Sequence, residues 1–237
     1  MSFLTSAHVD SAEAGGGYPY SLPAVTALAD IEFAPVTVLA GDNGTGKSTL
    51  IEALAVAAGF NPEGGSRNLR FETYATHSEL ADALVLRWAR RPRWGWFLRA
   101  ETFYGMASHI HRDDDPGSGI KALFPDLHNR SHGESFLTLI ESRMRSEGLY
   151  FLDEPESALS FHGQLKLLHA MHLSCAEGAQ FVLATHSPVL MAYPGAKVYE
   201  LGPHGASAVE YDAIESVQLW RNFLDAPERF FQHLFES

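Results

Sequence analysis

Short apolar runs alternate along this chain with stretches of helical period. Val36 to Ala40 is a strand-like run that ends in a glycine-rich turn. In KSTLIEALAVAAGF, Leu50, Ile51, Leu54, Ala55 and Ala58 recur at helical spacing. The segments ELADALVLRWARRP and RWGWFLRAETFY predict two strands, or a helix and a strand, around Pro92. HRDDDPGSGIKALFPDLHNR is polar and turn-rich and predicts a surface loop. Leu149 to Leu152 form a short apolar strand that runs into acids. FHGQLKLLHAMHLSCAEG predicts a helix with Leu165, Leu167, Leu168 and Met171 inward, and QFVLATHSP another buried strand. KVYELGPHGASAVEYD has the form of a hairpin, and SVQLWRNFLDAPERFFQHLF closes the chain in one or two helices. Non-alternating apolar strands interleaved with helices predict an α/β fold with a mainly parallel central sheet. The expected organisation is a single domain over 1–237. It has an irregular N-terminal arm at 1–22 and a helical and hairpin side subdomain over about 60–148.

Composition narrows the class. The 237 residues are 46% hydrophobic and 19% charged, which suits a soluble globular domain with a sizeable core. The longest apolar runs are too short to span a bilayer, and the N-terminus lacks a signal-peptide pattern, so the expected location is the cytoplasm. The single cysteine, Cys175, excludes an internal disulfide and any multi-cysteine metal site. A net charge of −12 argues against a surface that grips nucleic acid everywhere. One dense basic cluster remains, with Arg87, Arg90, Arg91, Arg93 and Arg99 interleaved with Trp88, Trp94 and Trp96. It is a nucleic-acid or partner face, or a sheet whose tryptophans pack inward while the arginines face water; the acidic balance favours the second.

Three motifs carry chemistry. GDNGTGKST fits G-x-x-x-x-G-K-[ST], with a strand before it and an amphipathic helix after it. Gly41, Asn43, Gly44, Thr45, Gly46, Lys47, Ser48 and Thr49 would wrap a phosphate chain at a helix N-terminus. Lys47 would reach the β- and γ-phosphates of ATP, and Ser48 would ligate Mg²⁺. In LYFLDEPE, Asp153 at the strand end would hold the magnesium shell, and Glu154 would polarise the attacking water. In VLATHSP, His186 follows a buried strand, placed to contact the γ-phosphate or to couple to Glu154. A Ser-His hydrolase reading of Ser131 and His132 fails, because sequence neighbours seldom reach nucleophile–base geometry and no G-x-S-x-G elbow is present.

The order of phosphate loop, SHGES, LDEPE, SALS and ATHSP resembles the nucleotide-binding domain of ABC-type ATPases. Within them it is most similar to the SMC/RecF/OLD-like branch, and there to its small stand-alone ATPases. The resemblance runs from about Pro19 to the C-terminus. It implies a head-to-tail homodimer that sandwiches ATP between the phosphate loop of one subunit and the signature of the other. SHGES stands at the signature, which would act in trans through Ser131, Gly133 and Glu134, with Ser131 and Gly133 at the two positions that would meet the γ-phosphate. His132 departs from the family pattern, as does Glu134 where a glutamine is usual, and Ser160 stands where the D-loop has an aspartate. The Q-loop glutamine has no counterpart near Arg99 and Glu101. Locally, Ser131 and Glu134 also read as a capping box ahead of the stripe Phe136, Leu139, Ile140.

The expected activity is Mg-dependent ATP hydrolysis by an ATP-gated dimer, in DNA repair or defence-type processes. A transporter's nucleotide-binding subunit, or an interaction switch with negligible turnover, are the alternatives. DNA stays open as a partner. No heptad run separates Lys47 from Asp153, so no coiled-coil arm is built in.

Overall fold

A computed structural model describes residues 2–10, 12, 15–62, 79–100, 137–138, 140–142, 144, 146–203 and 205–235. Its centre is a six-stranded sheet. β2 (Val36–Gly41), β4 (Trp94–Arg99), β5 (Gly148–Asp153), β6 (Gln180–Ala184), β7 (Lys197–Gly202) and β8 (Gly205–Val209) lie in the order β4-β5-β6-β2-β7-β8. The first five are mutually parallel and β8 returns antiparallel, making the predicted hairpin with β7. The class is therefore the expected α/β fold with a mainly parallel sheet.

Burial on both faces explains the apolar, non-alternating strands. Val38, Leu98, Leu152 and Leu183 point to one core, where Leu167 and Met171 of α3 (Phe161–Ala176) pack. Their neighbours Leu39, Phe97, Phe151 and Val182 point to the other, against Leu50, Ile51 and Leu54 of α2 (Lys47–Ala57). Two short helices, α1 (Pro23–Thr26) and α4 (Pro188–Met191), lie before β2 and after β6. The chain closes with α5 (Glu215–Asp225) and α6 (Pro227–Phe235). No helix among the described residues is long and apolar enough to cross a membrane.

Several sequence expectations are corrected. The arm at 1–22 is not irregular throughout, because β1 (Leu4–Val9) pairs antiparallel with β3 (Leu84–Trp88) in a separate two-stranded sheet. Phe3, Leu4 and Ala7 are buried against the α2 face. β4 falls within the span assigned to a side subdomain, yet it pairs with β5 along its whole length and forms one end of the main sheet. On α3, Leu165 faces solvent, and Leu167 and Met171 alone of the four expected residues are fully buried. The basic–aromatic cluster is divided between the two sheets. Trp96 is buried, Trp94 is exposed, Arg90 lies over the Phe3 ring, Arg91 covers Trp88, and Arg99 turns inward.

Gln180 holds the N-terminal strand to the sheet. Its buried side-chain carbonyl accepts from the N–H groups of Phe3 and Leu4 at 2.8 and 2.9 Å. Its amide nitrogen donates to the carbonyls of Leu4 and Ala34 at 2.8 and 3.0 Å. An apolar isostere would leave those buried backbone groups without partners. Gln180→Met is expected to cost about 3 kcal/mol of stability, measured by urea unfolding, because each orphaned buried group costs ~1–3 kcal/mol.

Candidate functional site at the carboxyl ends of the parallel strands

Open α/β sheets bind ligands beyond the carboxyl ends of their strands. That edge here carries Arg99 from β4, Asp153 from β5 with Glu154 just after it, His186 after β6, and Gly41 from β2. The loop between β2 and α2 bends through three glycines at positive φ: Gly41 at 139°, Gly44 at 84° and Gly46 at 89°. A Cβ at Gly41 would lie 2.5 Å from the Leu201 carbonyl oxygen, and left-handed Gly46 is the N-cap of α2. Both positions need the missing side chain.

Lys47 opens α2 and folds back across this loop. Only 4% exposed, its ammonium donates to the carbonyls of Gly41 and Asp42 at 2.7 and 2.8 Å and reaches the Thr45 hydroxyl at 3.5 Å. Burial pulls its pKa down, while the carboxylates of Glu154, Asp42, Asp153 and Glu156 oppose the shift. The cation thus sits at the meeting point of the loop and the acidic strand end.

Asp153 is 3% exposed, and burial raises its pKa against the opposing influence of Arg99 and the Ser48 hydroxyl. Its Oδ2 accepts from Arg99 Nε at 3.0 Å, and its Oδ1 has no hydrogen-bond partner among the described residues. An orphaned buried carboxylate oxygen beside a serine hydroxyl is a hard-oxygen donor pair, which fits Mg²⁺. Among the described residues no cluster of three or more His, Cys, Asp or Glu could hold a metal unaided. Phosphate oxygens would have to complete the coordination, as is usual for this ion.

Glu154 adopts the left-handed conformation at φ 46°, ψ 51°, unusual for a residue with a long side chain. Its N–H is tied to the Ala184 carbonyl at 2.9 Å, and its own carbonyl accepts from the Ser157 backbone and hydroxyl. This fixes the half-exposed carboxylate at the sheet edge, with Oε1 3.5 Å from His186 Nε2. β6 ends at Ala184, two residues before the histidine. Glu156 Oε1 accepts the His186 N–H at 2.5 Å. The Ser187 hydroxyl caps α4 and donates to Gln164 Oε1 at 2.5 Å.

The fold therefore gathers Lys47, Ser48, Asp153, Glu154 and His186 at one edge. Ser131, Gly133 and Glu134, with their capping box, lie outside the described residues, as does Glu101. Ser160 is the N-cap of α3, accepting from the Gly163 N–H at 3.2 Å. Sequence reasoning missed Glu52, Glu156 and Gln164, and it gave Arg99 no role. The one available signal was the spacing of Ser48 and Glu52, four apart on a helix and so on one face.

A family model described as an AAA domain, putative AbiEii toxin, Type IV TA system, matches residues 102–192, and a second AAA-domain model matches 26–85. The cytochrome c biogenesis ATP-binding export protein CcmA of Novosphingobium aromaticivorans is 30% identical over 168 residues, covering 68% of this chain and 80% of that protein. Among solved structures, the SMC head domain from Thermotoga maritima aligns at TM-score 0.43 and 18% identity, over 76% of this chain and 92% of that one. The protein cbiO1 from Clostridium perfringens, part of the ABC transporter complex cbiONQ, aligns at TM-score 0.46 and 16% identity, over 99% of this chain and all of that one. The phosphate loop, the acidic strand end and the extent of the match to CcmA lead to one assignment: the chain belongs to the ABC-type P-loop ATPases.

Proposed function

We propose that this chain binds Mg-ATP and hydrolyses it as an ATP-gated head-to-tail homodimer, in a DNA-repair or defence-type process. The observation that carries the reading is the convergence of Lys47, the Ser48–Asp153 oxygen pair and the Glu154–His186 pair at one sheet edge. Glycine-loop N–H groups and Lys47 hold the phosphate chain. Bound through Ser48 and Asp153, Mg²⁺ would supply positive charge to the phosphate oxygens. Glu154 orients a water and takes its proton as the new O–P bond forms and the bond from the γ-phosphorus to ADP breaks. His186, held through its backbone by Glu156, supports Glu154 or the γ-phosphate. Charge moving onto the leaving oxygen is met by Lys47 from a fixed, dry position, the arrangement that contributes most to such rates.

Residues Ser131, Gly133 and Glu134 complete the partner's site in this proposal, and the ATPase domain spans 1–237. The toxin–antitoxin description of the family model over 102–192 supports the defence side. The export role in the name of CcmA favours a second reading, a transporter's nucleotide-binding subunit. Phosphate release from ATP, measured with Mg²⁺ or with EDTA and with or without double-stranded DNA, tests the choice. Metal-dependent release stimulated by DNA is expected. Tight ATP binding without release would make the chain an interaction switch, and co-isolation with a membrane protein would favour the transporter reading.

A further inference from the structure

Four side chains, two from α2 and two from the sheet, gather beside the phosphate loop. Ser48 and Glu52 lie one helical turn apart on α2. Arg99 and Asp153 are register partners on β4 and β5. Ser48 interacts with Asp153, Arg99 Nε donates to Asp153 Oδ2 at 3.0 Å, and Arg99 also pairs with Glu52 Oε2 at 2.8 Å. The guanidinium lies mostly inside, with 23% of its side chain exposed, and Glu52 is at 16%. A fixed positive charge therefore rests on the very carboxylate whose other oxygen has no hydrogen-bond partner among the described residues.

Building on the proposed metal site, we propose that Arg99 is a built-in counter-ion and positioning residue for Asp153. It holds Oδ2 and leaves Oδ1 as the one oxygen offered to a metal. Its charge offsets that of Asp153 and so weakens the pull on a divalent cation that enters alone. The cation gains enough only together with the negative phosphates of a nucleotide. Arg99 thereby couples metal loading to nucleotide loading, and Glu52 sets how strongly it does so. Planar guanidinium geometry suits the task, because the fork engages two carboxylates at once from one fixed position.

The test uses Mn²⁺ alone as probe, read by electron paramagnetic resonance of the free ion and by thermal unfolding. The wild type is expected to bind Mn²⁺ weakly without nucleotide. Removing a unit charge within a few ångströms of a divalent ion should tighten metal-only binding at least about tenfold in Arg99→Met, even after screening. Arg99→Lys keeps the charge and should stay near the wild type. Glu52→Gln removes a negative charge and should shift affinity the opposite way. That sign separates a charge effect from simple disruption, which would move both variants together. Unchanged Mn²⁺ affinity in folded Arg99→Met, or the same direction of change in Glu52→Gln, overturns the proposal. Titration of Mn²⁺ with adenylyl imidodiphosphate on the wild type tests the underlying metal reading separately. No bound-metal signal there removes the site itself, whereas a signal combined with equal metal-only affinities removes only the role of Arg99.

Discussion

Glu154→Gln is expected to lower steady-state ATP hydrolysis by about 100-fold or more, within the range of a general-base contribution, while ATP affinity changes little. The substitution preserves shape and removes only the ability to take a proton. Nothing that holds the nucleotide is touched, since the loop glycines and Lys47 lie on β2 and α2. The backbone ties of residue 154 to Ala184 and Ser157 run through its main chain and survive. Phosphate release and nucleotide titration measure the two halves of the prediction. Gel filtration with ATP adds a third, because a protein that binds but cannot cleave should accumulate as the proposed dimer. A variant that hydrolyses at the wild-type rate removes Glu154 as the base. One that stays monomeric with bound ATP removes the sandwich.

Lys47→Met should weaken ATP binding by about 100-fold, or ~2.7 kcal/mol, with folding retained. Methionine fills the space of the lysine stem and removes only the cation. The loss is large because the ammonium is 4% exposed and fixed by two loop carbonyls, so its position is set before any ligand arrives. The same removal leaves Asp42, Asp153, Glu154 and Glu156 without the cation they surround, so repulsion of phosphate adds to the lost attraction. Isothermal calorimetry checks affinity and circular dichroism checks the fold. Wild-type affinity in a folded variant would mean that the loop amides alone carry the phosphate.

What could be read from the sequence divides along the range of the interactions involved. β2, β5 and β6 were legible because a strand buried on both faces writes itself as a continuous apolar run, and the phosphate loop because its glycines and lysine are consecutive. β1 was not. Its pattern is short and mixed with polar residues, and what fixes it is Gln180, distant in sequence, together with pairing to β3. β4 was recognisable as a strand, but no local feature says which sheet a strand joins. Arg99 shows the same limit. It sits in a stretch that reads as basic and outward-facing, and only parallel register with β5 turns it onto Asp153. Glu156 and Gln164 act on the His186 segment across the gap between two strand ends, a closeness set by the sheet order.

The left-handed backbone at Glu154 sets heat resistance against turnover at a single position. A side chain other than glycine or asparagine held there costs about 1–2 kcal/mol. A library of variants sorted only for survival on heating would drift toward those two residues at 154 and fill with well-folded, inactive proteins. Ranking by stability alone would then discard the residue proposed as the base, left-handed backbone included.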